Sequence, residues 1–452
     1  MTGFRAGGLV SIGPEGEFQG EKFPMSKAKL PGLQDFDLAG KTVLARVDHN
    51  VVEKGLIKDP FRIDSTFGLI HHVAARGGHL ILMTHIGRTR DGKTGRIKSG
   101  SGTAVEPVAE YLNRKLAADL VVPKLAADPE WGITGLDQGV MAPLLGRLRE
   151  RKVGGIYLPN TRWFAGEESN DDKTRALAAE WAALADLYVN DAFGSWQPHA
   201  STFDVAKALP ACAGFLMQKE LENLARVIEP EPPFVAVVAG SKYDTKIGPL
   251  NKLYDQVSYL ILGGVIYNAF LCAKYGIEVA GVEAEDVELA RGLVEKDKNA
   301  CKILEPKALV ESRVLDRRDP AQVRVVKASD FSPGRKYAYF LDVAPESFDD
   351  PSIRGPLALA RTVFVNAVMG LTPHFGEGSR AIYGLIAENE KALKLYGGGD
   401  TLAELKNLQP GLYMRALDDP SYYFFTGGGA VLTAIEQGSP YGLKPVDVLL
   451  KK

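Results

Sequence analysis

Leu395-Tyr396-Gly397-Gly398-Gly399-Asp400-Thr401 runs directly into Leu402-Ala403-Glu404-Leu405-Lys406. An apolar segment enters a glycine triplet, and an acid and a hydroxyl then open a helical pattern. Glycine permits positive φ and close approach of a ligand to the backbone. A helix starting there aims free N–H groups at the turn, which suits a phosphate. Asp400 would either cap the helix or hold a cation that neutralises the phosphate. Alone, the stretch reads as a plain glycine turn before a capped helix. Two further glycine turns follow apolar runs, at Leu262-Gly263-Gly264-Val265 and Phe425-Thr426-Gly427-Gly428-Gly429-Ala430. Three such turns in one half of a chain predict a nucleotide cradle built from several strand ends.

On either side of these turns, short apolar strands alternate with helical patterns. In the first half, strands are expected at 41–48, 79–84, 119–122, 155–158 and 187–190. A helix with an N-terminal cap is expected from Asp64-Ser65-Thr66 to Val73, and further helices near 103–117, 140–151 and 171–185. A long helix at 214–228 leads to Glu229-Pro230-Glu231-Pro232-Pro233, a rigid linker. The alternation restarts with strands at 234–239, 259–262, 302–304, 338–342, 362–366, 394–396 and 423–425. This predicts an α/β protein with two similar-sized, doubly wound parallel-sheet (Rossmann-like) domains joined by a hinge. The expected division is an irregular N-terminal extension at 1–38, an acid-substrate domain at 39–207, a nucleotide-binding domain at 208–435, and a tail at 436–452.

The 452 residues are 45% hydrophobic and carry a net charge of −2. That balance gives no global field for nucleic acid or membrane. No apolar run approaches the roughly 20 residues of a membrane span. The first 20 residues lack the apolar core of a secretion signal. Cys212, Cys272 and Cys301 have no metal-type spacing. The expectation is a cytoplasmic protein that binds small molecules and neither nucleic acid nor membrane.

Ligands of such sheets bind beyond the carboxyl ends of the strands. Those ends carry Arg46, Asp48 and Asn50; His85, Gly87 and Arg88; Asn160 and Arg162; Asn190 and Asp191, with Arg62 in the loop after Asn50. Arginine forks suit phosphate or carboxylate. In the second half, Gly240-Ser241-Lys242-Tyr243-Asp244-Thr245-Lys246 follows a strand, and its two lysines four apart share a face. Neither a Walker-type loop nor a GxGxxG fingerprint is present. An arginine-lined anion pocket facing glycine turns, lysines and an aspartate able to hold magnesium predicts phosphoryl transfer between a nucleotide and an anionic acceptor. A carboxylate acceptor is already ionised at pH 7 and needs no general base.

These residues fall in recognisable strings. Arg46-Val47-Asp48-His49-Asn50-Val51, Thr84-His85-Ile86-Gly87-Arg88, Asn160-Thr161-Arg162-Trp163-Phe164, Asn190-Asp191-Ala192-Phe193-Gly194, Asp244-Thr245-Lys246-Ile247-Gly248 and Gly397-Gly398-Gly399-Asp400-Thr401 resemble the phosphoglycerate kinase family, in order, from about residue 38 to the end. The resemblance implies a two-domain, hinge-bending, monomeric enzyme of glycolysis, gluconeogenesis or carbon fixation. It would move phosphate reversibly between ATP/ADP and the carboxylate of 3-phosphoglycerate, forming an acyl phosphate, with Mg2+. By motif, Asp48, Asn50, Arg62, His85, Arg88 and Arg162 would hold the acid substrate, and Arg62 and Lys242 would act on the transferring group. Lys242, Lys246, Gly263, Gly264, Pro345, Asn366, Gly398, Gly399, Asp400 and Thr401 would bind nucleotide, with Asp400 on the metal.

The chain also departs from the family pattern. Trp196-Gln197-Pro198-His199 is one residue short and lacks the arginine that the family places on the substrate's distal phosphate. Pro373 replaces a ribose-binding glutamate, whose hydrogen bond is lost or comes from Glu377. His49 replaces a phenylalanine beside Asp48, at the expected substrate pocket. Two alternatives follow: a paralogue acting on another carboxylate, and a non-catalytic nucleotide-binding relative.

Overall fold

The computed structural model describes residues 30–240 and 246–450. The first sheet contains six strands: β1 (Thr42–Val47), β2 (His79–Met83), β3 (Leu120–Val121), β4 (Gly155–Tyr157), β5 (Leu187–Asp191) and β6 (Ala211–Ala213). Their order is β3-β4-β2-β1-β5-β6, with every pair parallel. The second sheet contains β7 (Phe234–Gly240), β8 (Tyr259–Gly263), β9 (Thr362–Asn366), β10 (Leu393–Gly397) and β11 (Tyr422–Phe425). Its order is β8-β7-β9-β10-β11, again all parallel. Helices cover both sheets, as the two-sheet α/β expectation requires.

The central strands are apolar throughout because both faces are covered. Along β1, Leu44 joins one core while Val43, Ala45 and Val47 join another, since successive side chains point to opposite faces. The Leu44 face continues through Phe193, Met217, Leu221, Leu224 and Phe425 into the interior of the second half. The long helix Phe215–Ile228 therefore belongs to a core shared by both sheets.

Several local expectations change. β6 is a short strand bounded by Pro210, and it pairs with β5, so the first sheet runs past residue 207. Lys302–Leu304 is no strand; it supplies a single bridge, Leu260 to Ile303. The strand expected at 338–342 exists as Tyr339–Val343, but it lies outside the parallel sheet. It pairs antiparallel with Ala308–Ser312, which also pairs antiparallel with Val323–Lys327. The helix Phe67–Ala75 is not capped by the Thr66 side chain. That hydroxyl donates to Ile63 O at 2.7 Å instead. Side-chain caps do occur where Asp137 and Asp171 precede helices, accepting from Gly139 N and Lys173 N.

The C-terminal helix Lys444–Leu450 returns to the first sheet, where Asn190 Nδ2 donates to Pro445 O at 3.3 Å. Among the described residues, no helix is long and apolar enough to cross a membrane.

Candidate active site

In each sheet the strand order reverses beside the first strand, between β1 and β5 and between β7 and β9. A crevice forms at such a switch point, outside the carboxyl ends. The residues after β1, β2, β4 and β5 surround a cavity of about 600 Å3. Its lining includes Arg46, Asn50, His85, Arg88, Arg90 and Arg162, with Glu167 and Glu168.

Arg46 forms the floor. It is 1% exposed. Its Nε donates to Ser201 Oγ at 2.9 Å, one Nη to Val47 O, and the other Nη to Ser195 Oγ at 3.3 Å and His85 Nδ1 at 2.8 Å. Arginine can only donate, so His85 Nδ1 accepts and the ring proton lies on Nε2. Burial, reinforced by Arg46, holds the His85 pKa well below its ordinary value, so the ring is neutral at pH 7. Glu167 balances the floor: it accepts from Ser201 Oγ at 2.6 Å and Ser201 N at 2.9 Å.

Asp48 is buried, and its carboxylate lies 3.5 Å from Arg62 Nη1. Burial pushes the Asp48 carboxyl up, but Arg62 and neighbouring cations outweigh it and hold the pKa below the usual carboxylate range. Asn50 Oδ1 accepts from Gly87 N at 2.9 Å. Arg162 pairs with Glu168 at 2.8 Å and donates to Gly87 O at 2.5 Å. The structure thus gathers Asn50, His85, Arg88 and Arg162 in one cavity, with Asp48 and Arg62 paired in the neighbouring loops.

His49 lies elsewhere than expected. It is fully buried beneath the cavity, with Nδ1 2.8 Å from Tyr157 Oη and Nε2 3.0 Å from Thr66 Oγ1. Thr66 spends its proton on Ile63 O, so Nε2 donates and Nδ1 accepts. Burial lowers the His49 pKa to about 3. It is a satisfied core histidine, not a substrate contact.

The second cluster stands at the ends of β7, β9, β10 and β11. Lys246 Nζ donates to Ala239 O at 2.6 Å and Asn366 Oδ1 at 2.8 Å, while Asn366 Nδ2 donates to Gly397 O at 2.6 Å. Asn366 therefore ties the lysine to the glycine turn. Burial lowers the Lys246 pKa to about 8, with Asp400 working against the drop. Gly398 has φ of 114°, and a Cβ there would lie 3.0 Å from Asn366 Nδ2. The helix Gly399–Leu408 starts next, with Thr401 buried and Gly399 facing open space. Asp400 is exposed in the first turn and does not cap the helix.

Gly263 and Gly264 are close to protein neighbours: added Cβ atoms would lie 2.6 Å from Met369 Sδ and 2.9 Å from Gly240 O. Pro345 is exposed and opens the short helix Pro345–Asp349 after the antiparallel sheet. Glu377 pairs with Arg318 at 2.6 Å, so its carboxylate already has a partner. Lys242 lies outside the described residues.

A magnesium ion fits this turn through a phosphate-bearing nucleotide. Magnesium typically uses one or two carboxylates plus substrate phosphates. Asp400 supplies one carboxylate with no ion pair among the described residues, which contain no group of three or more His, Cys, Asp or Glu side chains able to hold a metal.

The two clusters meet across the switch points. Lys406, on the helix after the glycine turn, forms an ion pair with Asp59, close in sequence to Arg62. Its ammonium also lies 5.3 Å from the Phe61 ring centroid. Thr426 donates through N and Oγ1 to the buried Glu220 at 2.8 and 2.7 Å. A Cβ on Gly427 would lie 2.5 Å from Gly194 Cα, so only glycine permits that approach between the halves.

Strand-end reasoning did not select Arg90, Glu167, Glu168, Ser195, Trp196 or His199 as site residues. Arg90 had a signal in its spacing two residues after Arg88. Glu168 pairs with Arg162, and Glu167 reaches Arg46 only through the shared Ser201 hydroxyl.

A family model described as phosphoglycerate kinase matches residues 33–438. The phosphoglycerate kinase of Dictyoglomus turgidum is 32% identical over 91% of this chain and 97% of its own length. That of Chloroflexus aurantiacus is 36% identical over 89% and 95%. The solved structure of phosphoglycerate kinase from Coxiella burnetii superposes with a TM-score of 0.72 at 29% identity, covering 94% of this chain and 99% of that one. The two all-parallel sheets, the arginine cavity and the glycine turn are thus accompanied by similarity over about nine-tenths of the chain, and the chain belongs to the phosphoglycerate kinase family.

Proposed function

We propose that the two strand-end clusters perform the two halves of one reaction: ATP-dependent, reversible phosphoryl transfer to the carboxylate of 3-phosphoglycerate. The carrying observation is that Gly194 and Trp196 of the arginine cavity lie against Gly427 and Gly429 of the second half, where Gly428 in turn lies against Gly398 of the Lys246–Asn366–Gly398 cradle. In this reading Asp48, Asn50, His85, Arg88 and Arg162 orient the acid. His85 presents its Nε2–H as a neutral donor. No side chain needs to remove a proton, because the acceptor carboxylate is already ionised. Arg62, and Lys242 from the segment outside the described residues, stabilise charge on the transferring group. Lys246, Asn366, Gly398, Gly399 and Thr401 hold nucleotide phosphate, and Asp400 holds magnesium, which when bound neutralises phosphate charge. Gly263, Gly264 and Pro345 would border the base.

We assign residues 39–207 and the adjoining β6 to the acid-substrate unit. The remainder to 435 forms the nucleotide unit, and 436–452 is the returning tail. A monomeric, cytoplasmic enzyme fits this reading.

Acyl phosphates react with hydroxylamine to give hydroxamates. Incubation with ATP, magnesium, 3-phosphoglycerate and hydroxylamine should accumulate the hydroxamate in step with ADP. ADP release without hydroxamate would refute transfer to the carboxylate.

A further inference from the structure

The cavity has an asymmetric charge. Its Gly194–His199 side offers Ser195, Trp196, Gln197 and His199. It contains no arginine or lysine, and burial lowers the His199 pKa, leaving that ring neutral at pH 7. Arg46 is engaged by Val47 O, Ser201, Ser195 and His85. Arg162 is paired with Glu168. Glu168 thus pairs with Arg162 and Glu167 faces Arg46 through Ser201, so that among the described residues the lining arginines without a carboxylate beside them are Arg88 and Arg90.

The loop after β2 presents both to the cavity. Arg90 bridges Ile97 antiparallel, and the turn is closed by Asp91 N to Arg96 O at 2.8 Å and Lys98 N to Thr89 O at 2.9 Å. Thr89, between the arginines, is buried and donates to Arg162 O at 2.7 Å. This alternation places residues 88 and 90 on one side and 89 on the other. Arg90 is half-buried and donates through one Nη to Ala165 O at 2.6 Å. No carboxylate pairs with it among the described residues. The guanidinium is therefore anchored at one corner and has donors left for an anion.

We propose that Arg90 is a specificity-determining residue that, with Arg88, grips the distal phosphate of 3-phosphoglycerate and supplies the positive charge absent from the Gln197 side. This rests on the substrate reading above. A planar fork holding a phosphate dianion forms paired charge-assisted bonds. The resulting energy belongs to binding of a remote group rather than to the reacting carboxylate.

The test uses the full chain as wild type, Arg90→Gln and Arg90→Lys, with kcat, KM for each substrate and thermal midpoint measured for all three. The expected result is a KM for 3-phosphoglycerate raised roughly 10- to 100-fold in R90Q, the range for lost hydrogen bonds to a charged group. KM for ATP and the thermal midpoint should stay near wild type, with R90K intermediate. KM for 3-phosphoglycerate should also rise less steeply with ionic strength in R90Q than in wild type. An unchanged KM for 3-phosphoglycerate in R90Q would overturn the proposal. So would a parallel loss in kcat, both KM values and thermal midpoint, which marks a structural role. Wild type that fails to use 3-phosphoglycerate at all would instead remove the substrate reading, and this assignment with it.

Discussion

Lys246 offers a quantitative test of the nucleotide cradle. Its ammonium is enclosed between Ala239 O and Asn366 Oδ1, and its pKa falls from 10.5 to about 8 because burial strips its hydration. The drop corresponds to about 3 kcal/mol against the charged form. In stability terms the sign is fixed. The folded state binds fewer protons than the unfolded chain between about 8 and 10.5, so this penalty is present below 8 and relieved as pH rises through that window. Nucleotide binding reverses the preference, since polyphosphate restores the proton. Between pH 8 and 10, ADP binding should therefore take up close to one proton, and log Kd should rise by about one per pH unit. Calorimetric titration in buffers of differing ionisation enthalpy measures both quantities. Lys246→Arg keeps its charge throughout and should flatten the dependence. Lys246→Met should weaken binding at pH 7 and also flatten it. A wild-type Kd independent of pH over that range, with no proton uptake, would refute the assignment of Lys246 to phosphate.

Other perturbations separate local roles. His49→Phe leaves the Tyr157 hydroxyl without its acceptor and should cost about 1–2 kcal/mol in chemical denaturation while KM for 3-phosphoglycerate stays unchanged. A raised KM would return His49 to the substrate site. Glu220, buried against Thr426, has its pKa raised from 4.5 to about 8 by burial. The folded state binds the extra proton between those values, so this group's stabilising contribution falls as pH rises from about 4.5 to 8. Glu220→Gln should remove up to about 1.4 kcal/mol per pH unit of that slope in urea titrations, and an unaltered slope would contradict it. Lys406→Ala breaks a partly exposed ion pair with Asp59 and should shift unfolding by less than about 1 kcal/mol. A larger loss would mean that this contact holds the halves together.

Much of this site was legible because strand ends have chemistry of their own. Apolar runs located β1, β2, β7 and β9, and the polar residues following them supplied Arg46, Asp48, Asn50, His85, Lys246 and Asn366. The sequence was less informative where burial is one-sided. Val323–Lys327 has three valines broken by Arg324 and ended by Lys327, with only Val326 buried, so its five residues carry no clear period, and with it the antiparallel sheet was lost. β6 has three residues after a proline, too few for a period to register. His49 stands beside Asp48 in the chain, yet adjacent side chains on an extended segment point opposite ways, and only the structure reveals its Tyr157 and Thr66 partners. Arg90 required the fold, because its importance comes from the pairing of Arg162 with Glu168 and from Glu167 facing Arg46 through Ser201, a contact between residues far apart in sequence.

The central claim is that facing cationic and nucleotide clusters carry one phosphoryl transfer, and Arg62 is the described side chain closest to that claim. Steady-state transfer from ATP to 3-phosphoglycerate with magnesium, in wild type and Arg62→Ala, tests it most directly. Wild type should turn over at roughly 1–100 per second. R62A should lose about 100- to 1000-fold in kcat, as removal of one preorganised charge-stabilising donor does, while KM for ATP stays near wild type. Wild type inactive with 3-phosphoglycerate, or R62A at undiminished kcat, would contradict the account.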